Sequence, residues 1–312
     1  MPNYQGVWDI TTQFQYAAEW PRPFPSDIGL FAGGLNVANI DFVSISTTGN
    51  AEDFGDLTGA RYYVSGLGSS TRGVFGAGLT GAKDVIDFVT VSSTGNASDF
   101  GNLTVASYNK GSASNNTRGL FIAGSNASFS PIANIDYITI ASEGNASDFG
   151  DTTAAVTGLS GCASTTRGLY GGGNNSSATK LNTIEYVTIG STGNGSDFGD
   201  LTEARNSISS CSSSTRGIWA GGTGSSNSNV IDYVTIASVG NATDFGDLLN
   251  ADTQLAACSS ETRGLLSGGA NYLTVIQYIT IASTGNATDF GDLIGDGKRL
   301  HGACSNVHGG IA

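Results

Sequence analysis

A fixed distance constrains this chain more than any other feature. The pair Gly-Asn recurs at Gly49, Gly95, Gly144, Gly193, Gly240 and Gly285, and Thr-Arg-Gly ends at Gly73, Gly119, Gly168, Gly217 and Gly264. From each Gly-Asn to the next Thr-Arg-Gly glycine is always 24 residues, whereas the return distance runs 22, 25, 25, 23 and 21. One loop per repeat therefore absorbs all the length variation. Gly29 starts a unit that lacks its Thr-Arg, and Gly309 lies 24 residues after Gly285. Six periods of about 47 residues fill this span, a length typical of blades or solenoid turns.

Within one period, β-branched and aromatic residues alternate at period two between Gly and Asn punctuation, and no helical stripe appears. The reading is all-β, with four strands per unit. Strand A covers Ala204 to Cys211, strand B Gly217 to Gly222, strand C Val230 to Ala237, and strand D the segment Asp244-Phe245-Gly246-Asp247-Leu248. Four strands suit a propeller blade better than a β-helix coil. Phe54, Phe100, Phe149, Phe198, Phe245 and Phe290, once per unit, are expected to be buried between blades.

This layout resembles the kelch repeat. An Arg near the start of strand A (Arg61, Arg205), Gly-Gly after strand B, and an apolar-acid-aromatic strand C (Ile86-Asp87-Phe88, Ile135-Asp136-Tyr137, Ile184-Glu185-Tyr186) carry the likeness. It departs at strand D, which has Phe where kelch repeats usually carry Trp. The resemblance implies a six-bladed β-propeller of four-stranded blades. The chain begins on strand B and ends on strand A, so the C-terminal A strand is expected to pair into the N-terminal blade and close the ring. The expected division is an appendix over 1–25 and a propeller over 26–312.

Composition removes several function classes. Net charge is −13 with 13 basic residues and no basic stripe, which argues against nucleic-acid binding. No apolar run reaches membrane-spanning length and no secretory pattern opens the chain. Of the four cysteines, Cys162, Cys211 and Cys258 share one strand A position, while Cys304 reads as one residue out of step with Ala303. They are expected to be buried thiols without disulfides. His301 and His308 read as a solvated pair without metal-ligand spacing.

Most acids recur once per blade, as structural parts do, and no carboxylate pair with unlike environments stands out. The chain reads as non-enzymatic, with no catalytic residue, cofactor or metal expected. The recurring Arg72, Arg118, Arg167, Arg216 and Arg263 are expected to tie strand B to an Asp-Phe-Gly-Asp turn. A calcium site in Gly-Asn-Ala-x-Asp-Phe-Gly-Asp is the alternative for those acids. The sequons at Asn96, Asn145, Asn241 and Asn286 read as turn residues.

The appendix is aromatic, and Asp9 would cap a helix over 10–19 that Trp20-Pro21 ends. Too short to stand alone, it must pack on its own propeller or on another protein. The run Gly6-Val7-Trp8-Asp9-Ile10 through Gln13, Gln15 and Ala18 to Trp20-Pro21 is similar to the opening of structural proteins of tailed bacteriophages. That likeness implies a virion protein of tail-fibre or surface-appendage type, assembled in the host cytoplasm. Trp8, Phe14, Tyr16 and Trp20 would then attach it to other virion proteins. The propeller would be a display platform contacting a host-surface glycan or protein. A capsid decoration or tail cement protein, and a cellular kelch-type scaffold, are the rival readings.

In a four-stranded meander the B–C and D–A loops share one face of the disc. The B–C loops alone vary in length, and loops on a rigid scaffold are where recognition usually sits. Binding is accordingly expected on this face, at Lys83, Asn126, Phe129, Asn174, Asn175, Lys180, Asn227 and Tyr272, with Tyr62 and Tyr108 beside them. The bland alternative is that these loops vary because nothing touches them.

Overall fold

Strand B of every blade is apolar without alternation, as in Arg216–Ala220, where all residues after Arg216 are buried. Such a strand needs neighbours in its sheet and cover on both faces, and a computed structural model supplies both. It describes residues 24–35, 37–81, 83–271, 273–295 and 298–311; the appendix helix and the attachment residues Trp8, Phe14, Tyr16 and Trp20 lie outside them, as does Tyr272. Six antiparallel sheets form a six-bladed β-propeller, with strands ordered A-B-C-D from axis to rim. Blade 1 combines strand A, Gly302–Ser305, with Ile28–Ala32, Asn39–Ser44 and Glu52–Asp56, so the C-terminal strand closes the ring.

The other blades follow in order. Blade 2 has Ser65–Gly68, Arg72–Gly76, Lys83–Thr90 and Ser98–Tyr108; blade 3 has Gly111–Ser114, Arg118–Ile122, Ile132–Thr139 and Ser147–Thr157. Blade 4 has Ser160–Ala163, Arg167–Gly171, Thr183–Thr188 and Ser196–Asp200. Blade 5 has Ser209–Ser212, Arg216–Ala220, Val230–Thr235 and Thr243–Asp247, and blade 6 Ala256–Ser259, Arg263–Ser267, Val275–Thr280 and Thr288–Asp292. The rim strand carries exposed acids beside its buried Phe, which blunts the open edge. Every C–D pair slips register at one strand C position, an acid in five blades and Gln277 in the sixth, as between Ile231 and Asp232. This bulge re-aims that acid into the blade, and Asp232 is fully buried.

The fixed 24-residue interval has a physical cause. Each Gly-Asn turn docks on strand D of the preceding blade. Gly240 donates its N–H to Phe198 O (2.8 Å), Ala242 to Asp200 O (2.7 Å), and Asn241 Oδ1 accepts from Asp200 N (3.1 Å). The same bonds recur around the ring, closing with Gly49 on Phe290 and Asn50 on Asp292. At the other end of the interval, Arg216 stacks on Tyr233 of its own blade and donates to Ile281 O of the next (2.8 Å). Both ends are anchored in blade interfaces, so length cannot drift between them. The expected tie from these arginines to an Asp-Phe-Gly-Asp turn is not formed: Arg72, Arg118, Arg167 and Arg263 likewise donate to the carbonyls of Ile140, Ile189, Ile236 and Ile45. The six Asp-Phe-Gly phenylalanines are buried, between 1 % and 3 % exposed, each edge-on to an aromatic of strand C, as Phe198 is to Tyr186.

Two features close the axis. At the B–C/D–A end, Tyr63, Asn109, Gly158, Ser207, Gln254 and Leu300 all take left-handed φ between 52° and 71°. Each donates its N–H to the carbonyl of the one before, and Tyr63 completes the circle on Leu300. At the opposite end the tail after strand A crosses the channel. His308 Nε2 lies 3.2 Å from Ser114 Oγ and 3.1 Å from Gly68 O, and Gly309 donates to Ser212 O. A Cβ on Gly309 or Gly310 would collide with Ser213 or Ser114. Gly309 is therefore a plug residue rather than the opening of another strand B. The sequence expectation of a solvated His308 is corrected: the ring is half-buried in the channel.

The register of strand A also corrects the cysteine reading. Cys304 pairs with Leu30 as Cys258 does with Leu265, so it stands in step with the others. One extra residue between Gly285 and Leu300, 15 positions where Gly240 to Gln254 takes 14, produced the apparent shift. All four cysteines are free and buried. Burial pushes the Cys211 and Cys304 thiols up to about 12, which leaves them inert as nucleophiles.

Candidate functional site

The two longest B–C loops do not hang free. Ser125–Asn126 pairs with Ser107–Tyr108 of the preceding blade, and Asn174–Asn175 with Val156–Thr157, each adding a short fifth strand. Their tips are the same turn built twice. Asn126 Oδ1 accepts from Ser128 N and Ser130 N at 2.9 and 3.2 Å, and Asn175 Oδ1 from Ser177 N and Thr179 N at 2.9 and 3.0 Å. Both turns end in a left-handed residue, Phe129 (φ 59°) in one and Ala178 (φ 58°) in the other.

Ala178 shows that this turn does not need a ring. Phe129 is nevertheless 72 % exposed and fixed in space by the turn beneath it. Its ring lies 6.0 Å from that of Tyr108, which lies 5.6 Å from Tyr63, itself 5.5 Å from Tyr62. Four aromatics thus form a step that rises from the axial circle, at Tyr63, to the solvent at Phe129. Burial, and then the neighbouring Tyr108 and Tyr62, push the Tyr63 phenol up, while Arg299 acts the other way. The Tyr63 phenol is therefore neutral at physiological pH and can donate as well as accept.

The structure brings Tyr62, Tyr108 and Phe129 together, with Asn126 as the support of Phe129. Lys83 opens strand C of blade 2 opposite Ser107, beside Tyr108 in sequence. Lys180 is turned sideways, donating to Gly224 O in the next B–C loop. Asn227 is exposed in that loop and accepts from Thr223 Oγ1 (3.3 Å). Asn174 keeps a buried Oδ1 without a partner, and Asn175 is spent on its own turn. Tyr63 is the member that sequence reasoning missed; the Tyr62-Tyr63 doublet, two aromatics where the next repeat has Tyr108 alone and the others have none, was its only signal.

The interior offers less chemistry. A cavity of about 110 Å³ lies on the axis, lined by Tyr63, Lys110, Ser209, Gln254 and His301 among others. No Asp or Glu is among its described lining residues. Lys110 donates to Ala123 O (2.5 Å), and burial holds its ammonium down to about 8. His301 is buried, contrary to the solvated pair expected, with Nε2 2.9 Å from Ser267 Oγ and no partner on Nδ1. Without an acid on Nδ1, this Ser-His contact is not a nucleophile pair. The calcium reading of the Gly-Asn turns also fails on geometry, because their Asn oxygens are used on strand D. No cluster of His, Cys, Asp and Glu suited to a metal exists among the described residues.

Buried ion pairs complete the picture. Arg61 meets Asp87 at 2.8 Å, Arg205 meets Asp232 at 2.6 Å, and Lys298 meets Asp41 at 3.1 Å. Each joins the approach to strand A with strand C of the same blade. The sequence showed Arg61, Arg205 and the recurring strand C acid but not their meeting. Compared with protein-family models and with curated proteins, the chain matches none.

Proposed function

We propose that the chain is a non-enzymatic virion surface protein of a tailed bacteriophage, its kelch-like propeller serving as a host-binding platform of tail-fibre or surface-appendage type. The observation that carries the binding part is the paired turn: Phe129 stands exposed where Ala178 satisfies the same backbone. A ring that the fold does not need, held rigidly on an aromatic step, is a low-entropy contact for a partner. The disc is also two-faced. The described chain starts on the A–B/C–D face, where Asp27 bonds Ile45 N and Ser46 N, and the aromatic step occupies the opposite face. An attachment segment before Phe24 and a display face on the far side fit one another. The virion part rests on the resemblance of residues 6–21.

The test is binding of the purified protein to envelopes of the host bacterium and to glycans extracted from them. Phe129→Ala keeps the turn, as Ala178 demonstrates. It is expected to weaken binding about tenfold, the loss of one aromatic contact of about 1.4 kcal/mol. Unchanged binding by this variant would rule out the aromatic step as the contact. Incorporation into particles without host binding would favour a decoration or cement protein.

A further inference from the structure

Blades 1, 2 and 5 carry one internal charge arrangement, of which blade 4 keeps only half. At the strand C bulge stand Asp41, Asp87, Asp136, Glu185, Asp232 and Gln277, all nine-tenths buried or more. In blades 1, 2 and 5 a cation fills the space behind the acid and also bonds backbone carbonyls. Lys298 Nζ donates to Phe31 O (3.2 Å) and Asn39 O (3.1 Å). Arg61 donates to Ala77 O (2.9 Å) and Phe75 O (3.2 Å), and Arg205 to Gly221 O (2.9 Å) and Val230 O (2.7 Å). In blade 3, Lys110 reaches the matching carbonyl of Ala123 from another position. In blade 6 Gln277 takes the place of the bulge acid, and a buried acid, Asp252, stands at the cation position instead.

Blade 4 keeps the acid, Glu185, but Val156 stands where Arg61, Arg205 and Lys298 stand. The alignment is fixed by the left-handed circle: each of these residues comes two before its member (Gly158, Tyr63, Ser207, Leu300). Beside Val156 is a cavity of about 20 Å³, whose lining includes Tyr170, Gly172, Thr183 and Glu185. Tyr170 matches Phe75 and Phe31, Gly172 matches Ala77 and Gly221, and Thr183 matches Asn39 and Val230. The cavity therefore lies among the carbonyl positions that hold the cationic heads in the other blades. Among the described residues no Lys, Arg or His bonds Glu185; it accepts from Thr153 N (3.0 Å), Thr153 Oγ1 and Tyr170 Oη (3.0 Å). Neighbouring residues have changed to suit this carboxylate. Gly195 replaces the Ala of the other five Gly-Asn turns, and a Cβ there would collide with the Tyr170 hydroxyl.

We propose that this pocket in blade 4 binds a monovalent cation of ammonium or potassium size, which takes the place of the missing Lys or Arg head between Glu185 and the carbonyls of Tyr170, Gly172 and Thr183. A cavity above about 10–15 Å³ has room for one particle of water size. A carbonyl oxygen has two lone pairs, so one that accepts a backbone N–H, as Thr183 O does from Gly172, can still replace part of the hydration shell of such an ion. A single carboxylate already shared among three donors gives too little charge for a divalent ion, which takes several acidic ligands. A cation here cancels the Glu185 charge as Lys298, Arg61 and Arg205 cancel those of Asp41, Asp87 and Asp232.

The experiment is thermal melting of the full chain in potassium, ammonium, sodium and choline chloride at one ionic strength. The midpoint is expected to be highest in potassium or ammonium, rising about 2 °C for each tenfold increase once the site is nearly filled, and lowest in choline. Val156→Lys supplies an internal head and is expected to abolish the dependence while melting in choline as the wild type does in potassium. Glu185→Gln copies blade 6 and is also expected to remove the dependence, which keeps the test open if Val156→Lys fails to fold. Identical melting of the wild type in all four salts, or an undiminished potassium effect in Glu185→Gln, overturns the proposal.

Discussion

The blade clasp makes a sharp demand on one glycine. In blade 4, Gly199 has φ 149°, and a Cβ built on it would lie 2.5 Å from the carbonyl carbon of Gly240 and closer still to its oxygen. Both atoms are backbone, so no side chain can swing aside. Gly199→Ala must either push blade 5 away or change its own φ. Pushing the turn away breaks Gly240 N to Phe198 O, Ala242 N to Asp200 O and Asp200 N to Asn241 Oδ1, each contributing about 1 kcal/mol. Keeping them costs about 1–3 kcal/mol of backbone strain. A loss of about 2–4 kcal/mol is expected by either route. Gly190→Ala is the control within the same blade, since a Cβ there meets nothing within 4 Å and Ala already stands at that place as Ala141 and Ala237. Urea titration of the two variants measures the difference. A Gly199→Ala protein within about 0.5 kcal/mol of wild type would refute the clasp as the cause of the fixed spacing.

Three further outcomes follow from the interior. Phe198→Ala removes a ring 2 % exposed and is expected to cost about 3–5 kcal/mol; calorimetric melting unchanged from wild type would contradict its place in the core. Arg205→Met leaves Asp232 buried without its partner and is expected to cost about 3–5 kcal/mol, most of it restored in Arg205→Met/Asp232→Leu; a double variant as unstable as the single one would count against that reasoning. Burial, then the Lys298 charge, hold His301 down to about 3, against about 6.5 when unfolded. The unfolded chain then takes up the extra proton between those values, so this stability is present above about pH 6.5 and lost toward pH 3, up to about 4 kcal/mol. Burial raises Asp41 and Asp232, which gives the opposite slope, so the check is the difference in unfolding free energy between wild type and His301→Gln. A difference independent of pH would contradict a neutral buried ring.

The propeller was legible because its repeats report interfaces. A constant interval marks segments held at both ends, and Gly-Asn with Asp-Phe-Gly are the two halves of one contact, 42 residues apart for Phe198 and Gly240. The partners of the repeated arginines were not legible, because their acceptors are carbonyls of Ile140, Ile189 and the like, which sequence does not display. An Asp nearby in every repeat was the more visible choice and the wrong one. His301 and His308 were misplaced because sequence displays no partner for either ring, and Ser267 and Ser114 reach them from other blades. For the candidate site, loop variation singled out the turn on which Phe129 stands exposed. What it could not show was that Tyr63, a backbone element of the axial circle, would carry the aromatic step inward. Nor could it separate Lys180, which is tied to Gly224, from residues free to meet a partner.

Electron cryomicroscopy of purified phage particles, with this chain located in the density, tests the central claim most directly. The account predicts propellers on the outside of the particle, held from the A–B/C–D face where Phe24 leads in, with Phe129 and Tyr62 directed away from it. Particles that lack the chain, or that hold it with the B–C/D–A face buried against a neighbouring protein, would contradict the account.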